Sequence, residues 1–423
     1  MAEIIRVSIR DMLKAFMRLR LRDKLKIILL LLFSILWLFV AFSLLVIGKL
    51  STILFLPIQL DEWILPLIGA VIGALFPWIF MLVKQSIDSI LEPVLAVVVE
   101  RMRLLPHDEF VQKYKNNPHF RGAFTNIRGI LIGDIEEFPG ELRNALDVTC
   151  EINVKLYIPE IPREMIEPFW STFFKELAKR EGMATWYQLK ARVKEWNPER
   201  IILEGATYLD AYVFHYSADV QLGRKPLREI LWPLVMRDGK LVPLKESLLP
   251  NHLGVHALLI TSDGKMLIPQ RSIEVVAAKL AYTVSVEGTV NLPWHPGKRT
   301  LKDLIAKEVY YETGLKESEF DAYIISYARG TYVMGRPSVY AIIISKISLN
   351  ELKKRIPEDK WEALKITVED LGKSVRDIND IIDKDVLARL ESVFNKYSKR
   401  YSSPTLIYCL GKLIEEIKRK LAK

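Results

Sequence analysis

The stretch Leu301-Lys302-Asp303-Leu304-Ile305-Ala306-Lys307-Glu308-Val309-Tyr310-Tyr311-Glu312-Thr313-Gly314 decides how this chain is read. It alternates like an amphipathic helix and stops at a glycine in the manner of a C-cap. Glu308 and Glu312 lie four residues apart and so project from one face. Two carboxylates on a rigid face can hold a hard divalent cation that keeps several waters and completes its shell with phosphate oxygens. Such a cation neutralises charge and activates water in pyrophosphate cleavage. By spacing alone the pair is weak evidence, since exposed helices often place glutamates four apart, and a solvated face is the default reading.

On the N-terminal side, Leu253 to Thr261 reads as a strand, Ser262-Asp263-Gly264-Lys265 as a hairpin turn and Met266 to Arg271 as the partner strand. Gly288 follows, then a polar loop. On the C-terminal side, Ala322 to Ala328 and Ser338 to Lys346 read as strands, and Ile342-Ile343-Ile344 is apolar on both faces, as in a sheet covered on both sides. A layered α/β/α arrangement is the natural architecture. Asp359 to Arg400 reads as helical and charged, and a last helix, Leu406 to Leu421, ends on the basic run Lys418, Arg419, Lys420.

The run Lys307-Glu308-Val309-Tyr310-Tyr311-Glu312-Thr313-Gly314-Leu315 resembles the second half of the signature of the Nudix family, hydrolases of nucleoside diphosphates linked to another group. Glu308 and Glu312 stand where that family places metal-binding glutamates. Lys307 replaces its arginine and Tyr311 a further glutamate. Gly288 matches the leading glycine, but eighteen residues separate it from Lys307, five more than in the pattern, and Arg299 stands where an acid is expected. The resemblance covers roughly Pro250 to Ile347. It implies an α/β/α sandwich with a mixed sheet, Mg2+ or Mn2+ as cofactor, Glu308 and Glu312 as catalytic metal ligands, and a nucleotide-type substrate met by Gly288 and Lys307. Arg271, at a strand end near the expected pocket, is a further candidate for a phosphate, and Glu287 and His295 are acids or bases able to return to the site.

The N-terminal part reads differently. Ile27 to Ile47 and Trp63 to Val83 are each 21 residues without a charge, and at about 1.5 Å per residue each spans the hydrocarbon thickness of a bilayer. Residues 1–26 carry eight basic side chains against three acidic ones. Lys84, Arg101 and Arg103 follow the second stretch, while the connecting loop offers only Lys49 against Asp61 and Glu62, which places both ends on the cytoplasmic side of a cell membrane. Arg6, Arg10, Lys14, Arg18, Arg22 and Lys26 recur every four residues, the pattern of an amphipathic helix on an anionic surface. Gly69 and Gly73 have the spacing that lets membrane helices approach, within the hairpin or between two copies.

Four segments are therefore expected in this chain of 423 residues: a basic amphipathic segment (1–26), a two-helix transmembrane hairpin (27–83), an α+β middle region without assigned role (84–249) and a Nudix-like domain with C-terminal helices (250–423). In the middle region Ile127 to Ile132, Glu151 to Ile158 and the aromatic-rich Tyr208 to Tyr216 read as strands. Glu164 to Trp196 reads as one or two helices whose Trp170, Phe173, Phe174, Leu177, Trp186 and Tyr187 form a core stripe. The formal charge of +9 lies mostly before residue 27, so nucleic acid is not an expected partner. Two cysteines, Cys150 and Cys409, exclude a disulfide framework, and His252 and His256 fall in a strand, where they share no helical face. Three functions fit: a membrane-tethered pyrophosphohydrolase, a degenerate module that binds or senses a nucleotide, and a membrane scaffold without chemistry.

Overall fold

The computed structural model describes residues 104–157, 188–222, 225–272, 278–293, 295–355 and 363–423. All belong to the second of two compact units, Glu100–Lys423. The expected spans 27–47 and 63–83, the basic segment, Gly69 and Gly73, and the aromatic stripe from Trp170 to Trp186 lie outside the described residues. Among the described residues no helix is long and apolar enough to cross a membrane.

A seven-stranded sheet organises the chain. Its strands run in the order Ala363–Asp370, Lys265–Arg271, Gly254–Ile260, Arg336–Ser345, Phe320–Gly330 and Asp134–Asn144. The central pair, Gly254–Ile260 and Arg336–Ser345, is parallel and the others antiparallel, so the sheet is mixed as expected. One edge of Gly254–Ile260 is divided: its end pairs with Lys265–Arg271 and its beginning with Val286–Thr289. This division carries Gly288 past the middle of the sheet.

Because strand side chains alternate, the central strands split their residues between two cores. Val255, Ala257, Leu259, Val339, Ala341 and Ile343 face the helix Leu301–Thr313, which contributes Leu301, Leu304, Ile305 and Val309. Leu258, Ile260, Tyr340, Ile342 and Ile344 face the helices Lys384–Ser398 and Pro404–Leu421. The α/β/α layering is present.

A second, four-stranded sheet runs Gly297–Thr300, Thr149–Leu156, Arg200–Thr207 and Leu189–Trp196. Its Cys150, Ile152, Ala191, Val193, Ile201 and Leu203 enter the same core as the helix Leu301–Thr313. Strand pairing thus runs across the boundary expected at residue 250, with Asp134–Asn144 in the first sheet and Gly297–Thr300 in the second. A third cluster, built from residues 104–124 and 209–249 together with Met334, surrounds Arg228, which is fully buried and ion-paired to Asp219 at 2.8 Å.

Four elements differ from expectation. Ile127 to Ile132 is not one strand but part of a hairpin of two, Thr125–Ile127 and Ile130–Ile132, which turns where Arg128 and Gly129 take positive φ. Tyr208 to Tyr216 is not a strand: Tyr208–Phe214 is a helix, because Thr207 and Asp210 form a reciprocal capping box that starts it despite the aromatic content. The C-terminal part of the expected helical run, Leu189–Trp196, is a strand paired with Arg200–Thr207. Within the expected helical Asp359 to Arg400, Ala363–Asp370 forms an edge strand of the first sheet, where solvated charges on one face are ordinary.

Candidate active site

The helix Leu301–Thr313 is fixed at both ends. Thr300 and Asp303 form a capping box, the Asp303 carboxylate accepting from the Thr300 N–H at 2.8 Å, and Gly314 adopts φ 72° while its N–H donates to the Tyr310 carbonyl at 2.8 Å. This holds Glu308 and Glu312 one turn apart. Glu308 is 9% exposed and lies against Gly288: a Cβ at residue 288 would stand 2.6 Å from Glu308 Oε2. Glycine is therefore required there for the carboxylate to sit as it does, and the structure joins the two ends of the motif that the long loop separates in sequence.

Around Glu308 the chain gathers groups the sequence did not single out. Asn291 Nδ2 donates to Glu308 Oε1 at 3.5 Å, and Lys190 Nζ donates to Asn291 Oδ1 at 2.6 Å. Lys190 comes from the second sheet. Arg336 is buried and donates to the Gly288 carbonyl at 3.1 Å and to Thr289 Oγ1 at 2.9 Å. Burial lifts the Glu308 carboxyl above its ordinary range, opposed by the charges of Lys190, Lys307 and Arg336.

The neighbouring face of the helix borders a cavity of about 400 Å³ whose walls include Asn291, Arg299, Asp303, Lys307 and Tyr311. Lys307 and Tyr311 are a turn apart there, the Lys307 ammonium 5.8 Å from the Tyr311 ring centre, and Tyr311 is 65% exposed. The five-residue excess after Gly288 leads into the strand Gly297–Thr300, paired with Thr149–Leu156, and this strand brings Arg299 to the cavity. His295 is exposed.

Arg271 and Glu287 meet each other, away from Glu308. Arg271 Nη1 and Thr283 Oγ1 both donate to Glu287 Oε2, the second at 2.7 Å. Glu287 alternates with Gly288 and faces the other side of the strand. Burial would raise its carboxyl, but Arg271, His256, the Thr283 hydrogen bond and Arg336 outweigh it and hold the pKa at about 2. His256, opposite Glu287 across the strands, is driven down to about 3 by burial. Further along this face the Tyr340 hydroxyl donates to Asp134 Oδ1 at 2.9 Å, and burial pushes Asp134 up to about 6.

Lys190, Asn291 and Arg336 are the residues that sequence reasoning missed. Nothing local marks Lys190, because what places it is a long-range backbone register: Ala191 N–H donates to the Val290 carbonyl at 2.8 Å and Leu292 N–H to the Leu189 carbonyl at 3.1 Å.

No family model and no curated protein matches this chain. Among solved structures it is similar to the MutT protein from Methanosarcina mazei Go1, 16% identical over 41% of this chain and 96% of that one, with a TM-score of 0.24. It is also similar to a Nudix-family hydrolase from Clostridium perfringens, 9% identical over 40% and 98% of the two chains, TM-score 0.24. A third is the bifunctional NMN adenylyltransferase/ADP ribose pyrophosphatase from Francisella tularensis complexed with AMP and Mn ion, 19% identical over 35% of this chain and 42% of that one, TM-score 0.20. With TM-scores of this size, the chemistry is read from this chain's own residues.

Proposed function

We propose that this protein is a membrane-anchored Nudix-type hydrolase that cleaves the pyrophosphate bond of a nucleoside diphosphate derivative, with Mg2+ or Mn2+ held by Glu308 and Glu312. The observation that carries the reading is the Glu308 carboxylate, buried in the space that Gly288 leaves open and lifted in proton affinity by that burial. The donor set suits one hard cation: magnesium is commonly bound through one or two carboxylates, with water and substrate phosphates completing the shell. When bound, the cation neutralises phosphate charge and lowers the pKa of a bound water. The chain's own part is positioning. Lys307 and Arg299 border the cavity and meet phosphate oxygens, and Arg336 fixes the Gly288 carbonyl beside Glu308. The uncharged stretches 27–47 and 63–83, with cations massed outside them, support anchoring by a hairpin with the remaining chain at the cytoplasmic face of the cell membrane.

The full chain in detergent, given Mg2+ and a panel of nucleoside diphosphate compounds, is expected to turn over at least one of them. Both Glu308→Gln and Glu312→Gln should lower turnover by roughly 10²-fold or more, and wild-type turnover in either variant would sink the assignment. For location, the full chain should stay in the pellet after carbonate extraction, and release into the supernatant would refute the anchor.

A second reading, a module that binds the nucleotide without cleaving it, is favoured by Tyr311, which stands exposed where the family has an acid. Tight binding with no turnover across the panel would select it.

A further inference from the structure

We propose that Lys190, carried into the site by the second sheet, is a phosphate-binding residue that supplies charge neutralisation where the helix Leu301–Thr313 lacks the acid for a further metal ion. The inference deepens the Nudix-type reading and rests on it for the identity of the substrate, but not for the presence of an anion site.

Three observations carry it. Lys190 is only 8% exposed, yet among the described residues it makes no direct ion pair: its ammonium donates to the neutral Asn291 Oδ1 and stands 5.4 Å from the Tyr208 ring centre. A buried ammonium is ordinarily matched by a carboxylate, whereas this one has a neutral amide oxygen as its hydrogen-bond partner, and burial lowers its proton affinity against the opposing charge of Glu308. Second, its placement is built in. The backbone of residues 189–191 is stitched to residues 290–292 by two hydrogen bonds and an antiparallel bridge between Lys190 and Asn291, which fixes the ammonium beside Asn291. Third, three cations, Lys190, Lys307 and Arg336, act on Glu308 against its burial, while position 311 carries a tyrosine. A helix with fewer acids holds fewer dications, and the fixed cations take over part of the work of meeting a polyanion.

Asn291 also lines the cavity that Arg299 and Lys307 border. An anion entering there meets Arg299 and Lys307 at the wall, with Lys190 one hydrogen bond further in, behind Asn291. Phosphate oxygens are stronger acceptors than an amide oxygen, so Lys190 exchanges Asn291 for a phosphoryl oxygen when the ligand arrives. The edge strand of the second sheet, Leu189–Trp196, thereby completes the anion site.

The test uses inorganic pyrophosphate as probe and calorimetry on the full chain in detergent, with EDTA present and then with excess Mg2+. The wild type is expected to bind pyrophosphate in EDTA. Lys190→Met should weaken that binding at least tenfold, Lys190→Arg should retain most of it, and the affinity for Mg2+ alone should not fall in either, since both acids remain. Lys190→Gln serves as the neutral variant if Lys190→Met does not fold, as judged by its melting temperature. The proposal is overturned if the wild type binds no pyrophosphate without metal, or if the neutral variant binds it as the wild type does. Failure of the hydrolase assignment looks different: binding that depends on Lys190, with no turnover of any nucleoside diphosphate compound, removes the enzyme and leaves the anion site standing.

Discussion

Gly288 is flanked in space by two glutamates, Glu308 buried and Glu287 half-buried, that behave in opposite ways. Glu287, on one side of the strand, is satisfied by Arg271 and Thr283 and held at a pKa of about 2. Glu308, on the other, has a long hydrogen bond from Asn291, cations that act on it without direct pairing among the described residues, and a carboxyl raised by burial. The same side chain is saturated in one place and left wanting in the other. A carboxylate with its partners already in the chain stabilises the fold and has nothing to offer a ligand, whereas one kept short of them gains when a cation arrives. By this reasoning Arg271, read from the sequence as a phosphate contact, is the structural partner of Glu287.

Breaking the saturated side should have the largest effect. Glu287→Gln leaves the Arg271 guanidinium, whose side chain is 16% exposed, without its carboxylate, and is expected to cost about 3 kcal/mol of stability. The pH dependence follows with a defined sign. The folded pKa lies below the ordinary 4.5, so the contribution is fully present above that value and is lost as pH falls toward about 2. Urea titrations of the wild type and variant at pH 7 and pH 3 should differ most at pH 7, and equal stability at pH 7 would erase the contrast between the two glutamates.

On the unsaturated side the same substitution should do the reverse. Glu308→Gln removes a charge that burial disfavours, so the melting temperature should hold or rise, while turnover in Mg2+ falls by roughly 10²-fold or more, a ligand costing at least what its outer partners cost. A variant that both unfolds early and keeps its activity would show Glu308 to be structural.

Gly288→Ala sharpens the point with a smaller change. The three atoms nearest the added Cβ all belong to the Glu308 side chain, Oε2 first, so the fold can keep its shape by swinging the carboxylate aside. Turnover is expected to drop roughly 10-fold with a stability change within about 1 kcal/mol. Loss of the fold would mean that Glu308 cannot move, and unchanged activity that its position does not matter.

The sequence made the helix Leu301–Thr313 legible because all of its signals are local: periodicity, two acids a turn apart and a glycine at the end. Its neighbours in the first sheet were legible for the same reason, and the isoleucines 342 to 344 even disclosed the two-sided burial. What stayed hidden was decided at long range or by a single cap. Asp134–Asn144 joins the sheet from far upstream, and Lys190 comes to Asn291, the hydrogen-bond donor to Glu308, only through the register between residues 189–191 and 290–292. Tyr208–Phe214 looks like a strand by composition, yet Thr207 and Asp210 set its direction. The five-residue excess in the motif was visible, but not that it leads into a strand of the second sheet and so brings Arg299 to the cavity.

Asp134 offers the mildest test of the same contrast, since it lies on the Glu287 side of the sheet without a direct cationic partner among the described residues. Its hydrogen bond from the Tyr340 hydroxyl and the charge of Arg336 oppose burial but do not overcome it, and the pKa stands at about 6. Folding therefore favours the protonated form: there is no cost below the ordinary 3.8, a growing loss of stability as pH rises through the interval to about 6, and the full loss above it. Asp134→Asn keeps an oxygen for Tyr340 and removes the charge, so it should stabilise the protein by about 1 kcal/mol at pH 7 and by nothing measurable at pH 3.5. A variant less stable than the wild type at pH 7 would mean that Asp134 is a working counter-charge to Arg336, and the far face of the sheet would then be electrostatically coupled, through the Gly288 carbonyl, to the site it was contrasted with.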